Sequence, residues 1–277
     1  MVAVPMGLAF LIEISLYLGV RQLAAFPPLA VAATAVVPYG IYAAATGKFA
    51  LWQASLLALL VLMACTMLQL SPKAGLDVVF LVFMGAVYLA KPFRAIYMDP
   101  VESLRVDTLG QLMWIRVGVA AFLRNRPGLE TGLGFWPSRK EWETGAKFFL
   151  YFVPFGLGLA ALLGYPQFGL DANWWWKAPA TFAGIFFVVA LAEEFFFRGV
   201  LQRRLTQWTT PLTGLCVASV AFGLVHLPFR GFPNWRHVIL ATVLGLFLGK
   251  AFQTAGGIRA AMVAHALVVA LWQVVFL

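Results

Sequence analysis

Residues 191–200 read LAEEFFFRGV: two adjacent glutamates and, one turn later, an arginine, all inside a run of bulky apolar side chains. A charge at mid-bilayer costs roughly 2.5–3.5 kcal/mol on insertion scales, so two carboxylates in one apolar stretch need a reason to be there. On a helix Glu194 and Arg198 stand at i,i+4 and pair. Neighbouring residues project about 100° apart, so Glu193 and Glu194 are expected to face different partners. Glu193 is then the carboxylate left to face a cavity.

The chain has three histidines. His226 ends SVAFGLVH, with Phe222 one turn before it, and His265 sits within AAMVAHALVVALW. His237, in NWRHVIL, stands at the start of an apolar block. At 1.5 Å rise per residue, Glu193 lies ~15 Å from Arg203, His226 ~22 Å from Pro211 and His265 ~13 Å from Gly256. Those three reference residues are expected at one membrane face. Glu193, His226 and His265 then fall at similar depth on three helices, while His237 is expected at the opposite boundary as an interfacial residue. A carboxylate in a low dielectric binds its proton more tightly and serves as a base near neutral pH, and a histidine can share or pass on the proton. Three readings fit such a set. Glu193 and His226 polarise a water that attacks a peptide carbonyl while His265 stabilises the oxyanion; or the same groups hold a metal that activates the water; or protonatable side chains line a proton-coupled transport path.

These side chains need helices to place them. The 277 residues are 62% hydrophobic and only 11% charged, far below the ~25% charged content of soluble domains. The apolar residues come in blocks near the ~20 residues that cross a bilayer. No block keeps the two-residue alternation of a membrane barrel, so the spans are helical. The predicted fold is all-α: a polytopic integral membrane protein with eight or nine transmembrane helices. The blocks run at 3–20, 27–46, 50–70, 76–96, 148–164, 179–200, 211–228, 236–253 and 257–276. The net charge of +9 comes from basic residues between blocks, which argues for anionic lipid as partner and against nucleic acid.

The reading divides the chain into N-terminal transmembrane helices (1–96), a basic cytoplasmic connector (97–147) and a membrane core (148–277). Within the connector, 111–124 and 137–149 mix apolar and basic residues in the manner of helices lying in the interface. Three consecutive tryptophans at 174–176 resemble an interfacial aromatic belt. Cys65 and Cys216 lack metal-ligand spacing and are expected to be buried thiols. Glu13 interrupts the first block and is expected to snorkel or pair. Gly245 and Gly249 form a GxxxG, expected to serve close helix packing.

EEFFFR at 193–198 resembles the EExxxR motif of the CAAX-protease and bacteriocin-processing membrane proteins. FGLVH at 222–226 resembles their FxxxH motif, and His265 the histidine of their third motif. The resemblance spans about residues 178–277. It implies glutamate-dependent intramembrane proteolysis of a membrane-associated protein or leader peptide. Glu193 and His226 would activate the water and His265 would help bind the oxyanion, with Glu194, Arg198 and Phe222 in support. It also implies no metal and no other cofactor, and a prokaryotic cytoplasmic (inner) membrane is the expected location. The third motif usually carries Asn or Asp four residues after its histidine, and here that residue is Val269. Valine donates no hydrogen bond, and Gln273, two turns beyond His265, is the expected substitute. The competing reading is a non-catalytic membrane scaffold or proton-coupled transporter that keeps the polar cluster for structure.

Overall fold

The computed structural model describes residues 2–73, 75–98, 100, 104–165, 169–229 and 231–275. The last residue of the predicted final block lies outside this set. The described residues contain helices and no strands. All nine apolar blocks are helical. Five helices have the length and composition to cross a membrane: Pro28–Thr46, Arg139–Leu162, Trp174–Trp208, Trp235–Ala255 and Ile258–Val275. Four more are apolar but shorter: Ala3–Leu18, Leu51–Met67, Gly75–Ala90 and Pro211–Leu224.

The chain forms two compact units, Met1–Leu129 and Glu130–Leu277. The boundary falls inside the stretch read from sequence as a connector. In the first unit, α1 (Ala3–Leu18), the short α2 (Val20–Leu23), α3 (Pro28–Thr46), α4 (Leu51–Met67), α5 (Gly75–Ala90) and the short α6 (Phe93–Ile96) precede α7 (Asp107–Asn125). The helix α7 corrects an expectation. It packs against α1, α3, α4 and α5 and buries most of its residues, rather than lying on an interface. Arg116, at its middle, is fully buried because it is paired: its Nε and Nη2 donate to Glu13 at 2.5 and 3.1 Å, and its Nη1 donates to Thr34 Oγ1 at 2.9 Å. A buried charge survives only when paired and hydrogen-bonded. The glutamate that interrupts α1 and the arginine that gives α7 its amphipathic look are therefore one interaction. A second buried pair, Arg126 with Asp77 at 2.6 Å, ties the end of α7 to α5.

The second unit opens with α8 (Arg139–Leu162), which runs unbroken through the stretch read as an interfacial segment and the block that follows it. Ser138 and Glu141 form a reciprocal capping box that starts the helix within polar sequence. Next come α9 (Trp174–Trp208), α10 (Pro211–Leu224), α11 (Trp235–Ala255) and α12 (Ile258–Val275). Two stretches of α9, Ile185–Ala190 and Phe195–Gln202, are wound as π-helix on either side of Leu191–Glu194. Such widened turns recur at functional sites.

Small residues bring α10 and α11 together. A Cβ on Gly223 would stand 2.7 Å from the Val238 carbonyl oxygen and 1.9 Å from Thr242 Oγ1. One on Gly249 would meet Leu215 and Gln202 within 2.6 Å. The GxxxG thus serves packing within the chain, as expected. Cys65 is buried, but Cys216 is exposed on the outer face of α10, against expectation; both are free thiols. Trp174, Trp175 and Trp176 are exposed, as a belt requires.

Candidate active site

Glu193 and Glu194 sit on the α-helical turn between the two π stretches of α9. Glu194 is fully buried and faces Arg198, with Nε 3.1 Å from its Oε2, so the i,i+4 pair forms. The two are close as an ion pair but not aligned as a hydrogen bond. Arg198 also donates to the Gly245 carbonyl at 3.3 Å and lays its guanidinium 4.3 Å from the centre of the Phe222 ring. Cation–π contact of this kind helps to hold a desolvated arginine.

The expectation that the two glutamates face different partners is corrected. His265, buried on α12, reaches both: Nδ1 stands 2.8 Å from Glu194 Oε1, and Nε2 stands 3.8 Å from Glu193 Oε2. The reason lies in the imidazole, whose two nitrogens sit on different edges and can address two side chains at once. Glu193 is about a quarter exposed (27%), against 0% for Glu194. Its Oε2 is buried and has no hydrogen-bond partner among protein groups. One carboxylate is thus enclosed by a guanidinium and an imidazole, while its neighbour carries an oxygen without a partner beside the second nitrogen of that imidazole.

Phe222 joins the remaining histidine to this group. Its buried ring touches the His226 ring (centroids 4.8 Å apart) and meets His265 edge-on at 5.9 Å. His226 does not lie midway along a spanning helix. The helix α10 stops at Leu224 after 14 residues, a rise of about 21 Å, and His226 occupies the turns that follow. Its Nδ1 donates to the Phe222 carbonyl at 2.7 Å. A carbonyl only accepts, so Nδ1 carries the proton and Nε2 holds the lone pair when the ring is neutral.

Two further expectations fail. Gln273 is exposed and lies eight residues, about 12 Å of helix rise, beyond His265; the structure does not bring it to the cluster. Val269, one turn from His265, is half-buried. His237, expected at a distant boundary, instead stands beside His226, with ring centroids 5.6 Å apart. It stacks on Phe229 at 4.3 Å and shares a 3.0 Å hydrogen bond between its Nδ1 and the Tyr165 hydroxyl. Sequence reasoning missed Tyr165, which carries no motif. The cue it did contain for His237 was Asn234, a helix-capping residue type three positions earlier whose Oδ1 accepts from the His237 N–H at 3.1 Å.

Among the described residues, no three His, Cys, Asp or Glu side chains are arranged to hold a metal ion. The side chains present supply acid–base groups and one compact internal ion pair.

Comparison with known proteins bears on the same helices. Residues 174–271 match the family model described as "Type II CAAX prenyl endopeptidase Rce1-like". The uncharacterized protein YpbD of Bacillus subtilis (strain 168) is 35% identical over 78 residues, which are 28% of this chain and 36% of that protein. The chain therefore spans about a third of the length of the curated relative it matches. No solved structure matches the chain significantly. The residues that match the Rce1-like model, 174–271, hold Glu193, Glu194, Arg198, His226 and His265.

Proposed function

We propose that this chain is an intramembrane endopeptidase that hydrolyses a peptide bond of a membrane-associated protein or leader peptide with a carboxylate-activated water. The observation that carries the reading is the buried, unpartnered Oε2 of Glu193 standing 3.8 Å from His265 Nε2. In this reading a water bonds to both atoms, since polar groups beyond direct hydrogen-bond distance can be bridged by water. Glu193 takes a proton from that water, and the hydroxide oxygen bonds to the scissile carbonyl carbon. His226, through Nε2, orients the water. His265 donates from Nε2 to the oxyanion that develops, with Nδ1 held by Glu194. Glu193 then returns its proton to the departing nitrogen as the C–N bond breaks, leaving a carboxyl and an amine terminus.

The pairing pattern supports these roles: Glu194 is taken up by Arg198 and His265, while Glu193 keeps an oxygen without a hydrogen-bond partner. No step calls for a metal, a nucleic acid or another cofactor. The match to an endopeptidase family supports the reaction class, and the apolar helices support a membrane location; a prokaryotic inner membrane fits the compact loops. Val269 favours a second reading, a non-catalytic scaffold or transporter that keeps the cluster for its packing.

The test is proteoliposome-reconstituted protein incubated with a library of membrane-anchored peptides, wild type against Glu193→Gln. Cleavage by wild type and none by the variant is expected. Equal cleavage by both removes Glu193 as base, and no cleavage by either favours the scaffold.

A further inference from the structure

The His226 imidazole poses a positioning problem that its own helix does not solve. It lies past the last turn of α10, and one hydrogen bond, Nδ1–H to the Phe222 carbonyl, sets its edge. A ring flip breaks that bond and turns a carbon to the carbonyl, moving Nε2 from the place at which the proteolytic reading has it orient the water. Something must hold the ring against flipping. Three flat side chains surround it, with centroids at 4.8 Å (Phe222), 5.6 Å (His237) and 6.5 Å (Phe229).

Of these, His237 is fixed most elaborately. One face stacks on Phe229, with planes 22° apart. Its Nδ1 meets the hydroxyl of Tyr165, 72 residues earlier in the chain, and the Tyr165 ring is in turn met edge-on by Trp272 of α12 at 5.2 Å. Its backbone is tied through Asn234, whose Oδ1 accepts from the His237 N–H. Asn234 also donates from Nδ2 to the Phe229 carbonyl and from its N–H to the Leu227 carbonyl, both at 2.8 Å. Those three bonds tie Leu227 and Phe229 to the start of α11, where His237 stands beside His226. Packing alone would be served by any apolar ring at position 237; a ring anchored by a hydroxyl from another part of the chain fixes an orientation.

We propose that His237, anchored by Tyr165 and Asn234, is a positioning residue that holds the His226 imidazole in the orientation hydrolysis requires. The inference rests on the proteolytic reading above. His237 acts through His226 and touches no reacting atom. Its loss is expected to lower kcat roughly 10- to 100-fold, the scale of small misplacements of reacting groups. KM should stay within about twofold, because substrate contacts elsewhere remain.

Two readouts test this. With three histidines in the chain, protein labelled with 15N-histidine gives three imidazoles to assign by NMR, independent of activity. In the wild type His226 should show the Nδ1–H tautomer. His237→Ala should give a tautomer mixture at His226 together with the fall in kcat, and Tyr165→Phe, which removes one oxygen and leaves the ring, should move both readouts the same way by less. If His237→Ala does not fold, Tyr165→Phe carries the test alone. Wild-type His226 signals in the variants overturn the proposal, as does a rise in KM at constant kcat. Should Glu193→Gln cleave normally, the hydrolytic reading falls while the NMR result still reports on positioning. Should Glu193→Gln be inactive and His237→Ala fully active, positioning alone fails.

Discussion

Glutamine in place of each of the two adjacent glutamates should separate their roles. Glu194 and Arg198 expose 0% and 1% of their side chains, and removing one member of a buried pair typically costs about 3–5 kcal/mol because the other charge is left unpaired. Glutamine keeps the shape of glutamate, so no cavity contributes to that loss. Glu193 is 27% exposed and its Oε2 stands 3.8 Å from His265 Nε2, beyond hydrogen-bond distance, so its replacement strands no close partner and should cost at most about 1 kcal/mol. Each kcal/mol shifts the melting temperature of a domain of 150–250 residues by about 2–4 °C. Glu194→Gln should therefore melt roughly 6–20 °C below wild type, and Glu193→Gln within about 4 °C of it. The chain has ten tryptophans, so intrinsic fluorescence in one detergent follows both melts without a label. Both variants should lose cleavage, Glu194→Gln through instability and a freed His265, Glu193→Gln with the fold intact. Equal melting temperatures for the two variants would refute the division, because burial and pairing would then not distinguish the neighbours.

In the first unit, Arg116→Met should destabilise by about 3–5 kcal/mol by stranding Glu13, and Glu13→Leu added to it should recover most of the loss; a double variant no better than the single one contradicts the pairing. Gly223→Ala should cost about 1–3 kcal/mol by overpacking the α10–α11 contact, read as a lower melting temperature, with no change expected if the helices can part freely. Val269→Asn places a donor one turn from His265. Since losing an oxyanion donor costs roughly 100- to 1,000-fold, gaining one should raise kcat about tenfold or more, and an unchanged rate would mean that another group already serves the oxyanion.

The apolar blocks were legible in the sequence, and each became a helix, because length and hydrophobicity are local properties that the bilayer reads directly. The Glu194–Arg198 pair was legible for a similar reason: a four-residue spacing on a helix closes by itself. The segment at 111–124 misled because its mixed face pointed to an interface, whereas Arg116 met a glutamate 103 residues away. Gln273 misled in the opposite sense: the spacing allowed it near His265, but it ends exposed and far along α12.

The sequence by itself determined that Glu193, Glu194, Arg198, Phe222 and His265 would be ionisable or aromatic groups within apolar helices, since spacing along a helix fixes which face each side chain occupies. Only the tertiary structure decided that one imidazole would serve both glutamates, that α10 would stop short and leave His226 in a turn, and that His237 and Tyr165 would stand beside it. The physical reason is that a helix's residue spacing fixes directions around its own axis, while the rotation and depth of one helix against another are set by packing between residues far apart in the chain, such as Gly223 against Val238 and Thr242.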